Sequence, residues 1–341
     1  MANLAAVIPA AKAPLEVQEV ETYKPGPHEL LIKNEVIAYS PIEYKIAKLA
    51  FFPIQYPAIL GGSFGGTVEA VGPQVTNFKV GDKVAAAKSG KSVGNQYGSY
   101  QRYVVLSDET ASKVPEGIDL ALPVSFTANL STVVGIFTAR AGLEKPSFDG
   151  SVSTKGKKVL VYGGSSNVGT LSVQYVAQAG YSVVTTSSPS NNAFVSKLGA
   201  VKVLDHTQEQ GALIKALIAE GPYDLVVDSI ALPNTTPITG AVVAAQGGGK
   251  LYALLPAFGP ETLPEGVTRE FASWGSVLDE EKNLGLRTWA FTEYLPQGFA
   301  SGKLIPQTIE KVAGGLKGVN DALDKLEKGV SGVKLVSNPW E

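Results

Sequence analysis

At 341 residues the chain exceeds the ~100–200 residues of a usual domain, so two domains are expected. Its 29 Lys and Arg offset 31 Asp and Glu with no basic cluster, which excludes the phosphate-neutralising surface that nucleic-acid binding needs. Cysteine is absent and His28 and His206 are the only histidines, which removes disulfides, thiolate chemistry and the usual ligands of a zinc site.

The opening MANLAAVIPAAKAP is apolar, but it lacks the basic n-region of a signal peptide and runs on into strand-like text. No stretch reaches the ~18 consecutive apolar residues of a membrane span, so a cytoplasmic protein is expected. Up to about residue 115 the text is strand-like: LEVQEVE, the turn KPGPHE with His28 as a turn residue, LLIKNEVIAYS, GTVEAVG, KVGDKVAAA and SYQRYVVL. Short β-rich runs between Pro/Gly turns predict an open barrel or sandwich.

From Lys157 the pattern changes. The apolar runs KKVLVYGG, YSVVTTSS, VKVLDH, YDLVVDSI and GKLYALLP alternate with helical stretches, the signature of a parallel sheet covered on both faces. Near the end, GVNDALDKLEKG reads as a helix with Asn320 as its cap, Asp321/Lys325 and Asp324/Lys328 as i,i+4 pairs and Gly329 as its stop. The run SGVKLVSN after it is a strand placed to rejoin the N-terminal sheet, which would make the first domain discontinuous and the α/β unit an insertion.

Chemistry enters at VLVYGGSSNVGTLSVQYVAQAG. A strand, the loop Gly163, Gly164, Ser165, Ser166, Asn167, Val168, Gly169 and an amphipathic helix together form a pyrophosphate-binding βα turn, with Ser166 where the middle glycine of the fingerprint stands. The next strand ends in VVTTSSPSNN. Ser187, Ser188 and Asn191 offer donors without a carboxylate, and Lys197 follows, which favours NADPH over NADH because a 2′-phosphate needs neutral or basic company.

Taken with the order of KPGPHELLIK, SPIEYK, GGSFGGTVEAVGPQVTNFKVGDKV, GSYQRYVV, GGSSNVG and GGLKGVNDALDKLEKG, the whole chain resembles the medium-chain dehydrogenase/reductase superfamily. More narrowly it is similar to the zinc-free quinone reductase branch and its fungal trans-acting enoyl reductases. The resemblance implies an α/β fold: a GroES-like β-rich catalytic domain over 1–125 and 302–341, and a Rossmann doubly wound parallel-sheet domain over 126–301. It implies a zinc-independent, NADPH-dependent reductase of an enoyl thioester of polyketide type, free or on a carrier protein, or of an enone or quinone. The alternative is an NADPH-binding homologue with little reductase activity, structural or repurposed to shape a reactive biosynthetic intermediate.

The same resemblance assigns site residues. Zinc-dependent members carry a ligand His where this chain has Ser63, between Gly62 and Phe64. The segment like NPVDxK is Ser40, Pro41, Ile42, Glu43, Tyr44, Lys45, which makes Lys45 the candidate for enolate stabilisation or proton delivery, with Ser40 and Glu43 replacing Asn and Asp. Ser131 or Thr132 stands near the nicotinamide, His206 near the adenosine, and Lys334 at a basic position reaching the cofactor. Ser229, Ile230, Leu254 and Leu255 lie at carboxyl ends of parallel strands, where ligands bind in open α/β sheets. Phe51, Phe52 and Tyr56 line the expected substrate pocket. Monomer and homodimer both occur among similar proteins, the dimer through a strand that would lie in TREFASWGSVL.

Overall fold

Alternation of apolar and polar residues builds the first part of the chain into strands. The computed structural model, which describes residues 2–148 and 154–341, begins with β1 (Asn3–Ile8), β2 (Glu16–Val20) and β3 (Glu29–Ala38), then helix α1 (Pro41–Leu49). There follow β4 (Ala58–Ile59), β5 (Ser63–Val71), β6 (Lys83–Ala87), β7 (Tyr103–Ser107) and β8 (Ala111–Lys113), and helices α2 (Ala121–Val124) and α3 (Thr127–Val134). On β3 the period of two buries Leu30, Ile32 and Asn34 on one face. Buried Asn34 donates from Nδ2 to Ser99 O and Gln101 O, each at 2.9 Å, while its Oδ1 is buried without a hydrogen-bond partner.

The middle of the chain alternates strand and helix: β9 (Lys158–Tyr162), α4 (Asn167–Gln178), β10 (Ser182–Ser187), α5 (Asn192–Val195), β11 (Lys202–Asp205), α6 (Gln210–Glu220), β12 (Leu225–Asp228), α7 (Thr236–Ala245), β13 (Gly249–Ala253) and β14 (Val267–Glu270). The last part holds α8 (Leu284–Trp289), α9 (Leu295–Ala300), β15 (Thr308–Lys311), α10 (Val319–Lys328) and β16 (Val333–Ser337).

Two units emerge, Met1–Leu130 with Leu284–Glu341, and Ser131–Asn283. The expected joins were 125/126 and 301/302. The segment Leu284–Ala300 groups with the first unit because Phe299 packs edge-on against Phe126 at 5.4 Å and Arg287 pairs with Glu109.

In the first unit, among the described residues, β2-β1-β4 form one antiparallel sheet, and β15-β16-β3-β5-β6-β8 form a second, mixed sheet in which only β15 and β16 run parallel, with β7 also antiparallel on β3. The terminal strand returns to the start of the chain: β16 pairs antiparallel with β3 through Val336↔Ala38 and Ser337↔Ile37. Ile8, Tyr39, Tyr100, Leu323 and Leu326 share one core; Leu30, Ile32, Phe64, Val84 and Val104 share another. Helix α10 buries Val319, Ala322, Leu323 and Leu326, one stripe at helical spacing. Its polar residues serve other elements than expected. Asn320 does not cap the helix: its side chain accepts from Leu15 N at 3.0 Å and donates to Leu15 O at 2.9 Å, while Gly318 takes the cap position. Asp324 pairs with Lys48 of α1 and Lys325 with Glu310 of β15, because partners on neighbouring elements lie within reach of these side chains.

The second unit is a parallel sheet in the order β11-β10-β9-β12-β13-β14. The strand LVVD of β12 is buried throughout, as both-face coverage requires, and Leu160, Val184, Val226 and Leu251 pack with Leu213 and Leu217 of α6 and Val242 and Val243 of α7. The chain leaves β9 on one side and returns on the other at β12, so the carboxyl ends of β9 and β12 form the switch point where ligands bind in doubly wound sheets. Of the stretch TREFASWGSVL, within which a strand is expected, only TRE is extended; with Val267 it forms the outer strand β14, and a 3₁₀ segment, Trp274–Asp279, follows.

Candidate active site

At the switch point, β9 passes into α4 through Gly163–Gly169. Gly163 has φ +88, a conformation that favours glycine, and a Cβ on Gly169 would stand 2.1 Å from Gly163 O, so both positions require the smallest residue. Ser166 is the N-cap of α4, its Oγ accepting from Gly169 N at 3.0 Å. The remaining first-turn amides and the positive end of the helix are what a pyrophosphate uses. Within the loop, Asn167 Oδ1 is buried with no hydrogen-bond partner, a polar orphan of the kind a ligand hydroxyl satisfies. These residues fit a dinucleotide.

The end of β10 carries hydroxyls. Ser187 is buried and donates to Ser188 O at 3.1 Å; Ser188 Oγ lies 3.0 Å from Ser190 Oγ and accepts from Asn191 Nδ2 at 3.2 Å. The nearest strand-end carboxylate, Asp205 opposite Ser187 on β11, is turned to Thr207, accepting from its amide at 2.8 Å and its hydroxyl at 2.7 Å. Those bonds hold the Asp205 carboxyl below its usual range. Lys197 and His206 are exposed; the His206 amide donates to Ser187 O at 3.2 Å. Ser131 and Thr132 lie half-buried on α3.

At the end of β12, Asp228 does what the sequence reading overlooked. Its Oδ1 accepts from the amides of Ile230 at 3.0 Å and Ala231 at 2.7 Å, and its Oδ2 from Thr235 Oγ1 at 2.8 Å and Thr239 Oγ1 at 3.2 Å. Burial pushes this carboxyl upward, opposed by those donors. The bonds fix the turn that presents Ser229 and Ile230, and Ser229 in turn donates to Tyr162 O. Leu254 N donates to Asp228 O at 3.2 Å, tying the end of β13 to the same point. An Asp closing an apolar strand, with Thr seven and eleven residues on, was the available signal.

In the first unit, α1 begins at Ser40 and buries Glu43, Lys45 and Ala47. Glu43 Oε2 accepts from Ser40 N at 2.6 Å and Oε1 from Gly62 N at 3.1 Å, so one carboxylate caps α1 and anchors the start of β5. Burial pushes the Glu43 carboxyl up, against the Ser40 amide and the charge of Lys334. Lys334, 1% exposed on β16, donates to Ser40 Oγ at 3.1 Å, and burial lowers its ammonium to about 8. Tyr39 and Tyr100 close the cluster with rings 5.5 Å apart; Tyr39 OH lies 2.6 Å from Ser337 Oγ, and burial raises both phenols. Lys334, expected among the cofactor residues, is thus brought together with Ser40 and Glu43. Lys45 is 9% exposed, and burial lowers its ammonium. Ser63 is 1% exposed and its Oγ accepts from Ala128 N at 3.1 Å, in the first turn of α3. Phe51 and Phe52 meet edge-on at 4.8 Å, with Phe52 36% exposed and Tyr56 half-buried. Among the described residues no group of three His, Asp or Glu is placed to hold a metal ion, and no helix is long and apolar enough to cross a membrane.

Comparison with known proteins agrees with this architecture. Residues 26–116 match the family described as alcohol dehydrogenase GroES-like domain. The chain is 32% identical to the dehydrogenase azaJ of Aspergillus niger, over 98% of each chain, and 31% identical to the trans-enoyl reductase himH of Aspergillus japonicus, over 90% of this chain and 89% of that one. Among solved structures, a quinone oxidoreductase of Pseudomonas syringae pv. Tomato DC3000 superposes with a TM-score of 0.76 at 24% identity, covering 99% of this chain and 100% of its own. The GroES-like match over 26–116, the end-to-end identity of 32% to a fungal dehydrogenase and the glycine-lined β9–α4 turn lead to one assignment: the chain belongs to the medium-chain dehydrogenase/reductase superfamily.

Proposed function

We propose that the protein is an NADPH-dependent reductase of activated carbon–carbon double bonds that works without zinc. The observation that carries this reading is the β9–α4 turn, with its cramped glycines and first-turn amides, next to a β10 whose own end carries the neutral donors Ser188 and Asn191. The trans-enoyl reductase names borne by relatives such as himH and by tndF of Aspergillus flavipes support the same class of substrate, an enoyl thioester of polyketide type; an enone or quinone is the small-molecule counterpart.

When bound, the reduced nicotinamide supplies a hydride. The amides of Gly163–Gly169 would hold the pyrophosphate, and Ser188 and Asn191 would donate to the 2′-phosphate without the repulsion a carboxylate brings. Lys45 is the group for the enolate that hydride addition to the β carbon produces. Its ammonium can stabilise the oxyanion, and burial, by lowering its pKa, eases delivery of a proton at neutral pH. Glu43 acts through α1, whose start it fixes, rather than on substrate. Work without zinc is supported by Ser63, a residue that is not a usual zinc ligand and whose hydroxyl accepts from Ala128 N, and by the absence of cysteine from the chain.

Titration with NADPH and NADH, followed by a panel of enoyl thioesters, enones, quinones and aldehydes monitored by loss of reduced-nicotinamide absorbance, tests the reading. Oxidation of NADPH by a conjugated alkene, slowed by Lys45→Ala, is the expected result; turnover confined to aldehydes would overturn it. A second reading is favoured by one observation: Ser40, Glu43 and Ser63 all have their polar atoms committed to Lys334, Ser40, Gly62 or Ala128. On that reading the protein binds NADPH with little turnover and shapes a biosynthetic intermediate, and tight binding with no active acceptor is its signature.

A further inference from the structure

The start of α7 and the segment after β13 are joined to β14 by one guanidinium. Arg269, whose side chain is 9% exposed, donates from Nε to Glu261 Oε2 at 2.8 Å and from Nη2 to Glu261 Oε1 at 2.6 Å, a bidentate pair. The same group donates from Nη1 to Leu255 O at 2.6 Å and from Nη2 to Thr236 Oγ1 at 2.7 Å. Leu255 is the second residue of the irregular segment 254–266 between β13 and β14, and Thr236 is the first residue of α7, just after the turn set by Asp228.

A segment without regular backbone hydrogen bonds opens readily unless side chains tie it down. Glu261 is 21% exposed, so the pair is shielded on the arginine side and open enough on the other to form without a large desolvation cost. A lysine in the same place would lose the fork that reaches a carboxylate, a carbonyl and a hydroxyl together.

We propose that Arg269 is a positioning residue: it clasps segment 254–261 to the start of α7 and so sets the shape of the ligand-facing ends of β12 and β13. What that surface receives rests on the dinucleotide reading above, whereas the clasp rests on the hydrogen bonds themselves.

Amide hydrogen exchange of segment 255–263 without added dinucleotide, and the NADPH dissociation constant by calorimetry, are measured for the wild type, Arg269→Lys and Glu261→Gln; the last alters only the exposed partner and spares the fold. Exchange in 255–263 should accelerate about tenfold in both variants, the change that loss of one charge-assisted hydrogen bond makes in a local opening equilibrium, with β9 and β10 unaffected. NADPH binding should weaken by a similar factor. Unchanged exchange in 255–263 would overturn the proposal even if NADPH weakened, since Arg269 would then act by direct contact, and faster exchange across the whole sheet would overturn it in favour of a general structural role. If the wild type does not bind NADPH, the dinucleotide reading fails and the exchange result alone decides the clasp.

Discussion

Glu43 Oε1 accepts a hydrogen bond from the Gly62 amide at 3.1 Å, linking the first turn of α1 to the residue before β5. Its other oxygen takes the Ser40 amide at 2.6 Å, so removing the carboxylate strands two backbone donors and leaves Lys334 without its counter-charge. Glu43→Ala is therefore expected to destabilise the first unit by about 3 kcal/mol, the scale for breaking a buried, hydrogen-bonded charge. Urea unfolding checks this, and a loss under about 1 kcal/mol would mean that the amides find water instead.

The lysine facing that carboxylate predicts a pH dependence. Burial lowers Lys334 from 10.5 to about 8, so between those values the unfolded chain holds a proton that the folded chain has released. The unfolded state binding more protons, stability rises with pH across that window; below about pH 8 both states are protonated and the full cost of the buried charge, on the order of 3 kcal/mol, is present. Lys334→Met should flatten the rise between pH 8 and 10 in unfolding free energies. A slope that survives the substitution belongs to another group.

Ser63→Ala tests whether this hydroxyl serves the fold or the chemistry. It leaves the Ala128 amide without an acceptor in the first turn of α3, which should cost about 1–2 kcal/mol while turnover of a conjugated alkene stays within a few-fold of wild type. A large fall in kcat at unchanged stability would assign Ser63 to the reacting atoms.

Ser188→Asp places a carboxylate at the neutral end of β10, where Ser188 accepts from Asn191. Repulsion of a 2′-phosphate by at least about 1.4 kcal/mol shifts preference toward NADH about tenfold. Binding constants for both dinucleotides decide it; equal weakening of both would show that the side chain does not meet the ribose.

At the other end of the chain, Trp340 donates from Nε1 to Asn34 O at 2.6 Å, carries Arg102 4.6 Å above its ring and meets Tyr103 edge-on at 5.7 Å. Trp340→Ala should lower stability by about 2 kcal/mol through these contacts together. A thermal midpoint equal to wild type would show that the C-terminus contributes nothing to the sheet it covers.

Much of the molecule was legible from residues near one another in sequence. The apolar runs from Lys157 onward, interrupted by helical stretches, specify a parallel sheet because strands buried on both faces admit little else, and GGSSNVG between such a strand and a helix specifies the βα turn because the cramped positions there tolerate only glycine. The absence of cysteine and the Ser at position 63 bear on the metal question before any fold is known. All of these are properties of composition or of contacts within about one turn of chain.

Tertiary structure decided the rest. Nothing local says that Lys334 meets Ser40, that Asn320 serves Leu15 rather than its own helix, or that Arg269 reaches Leu255, Thr236 and Glu261 together. In each case a polar group is buried by packing that brings distant segments together, and the cost of leaving it unsatisfied selects whichever partner the fold places within about 3 Å. The sequence by itself thus determined the strand–helix alternation and the glycine-lined βα turn; the burial of polar side chains between elements far apart in the chain determined how the candidate site is held.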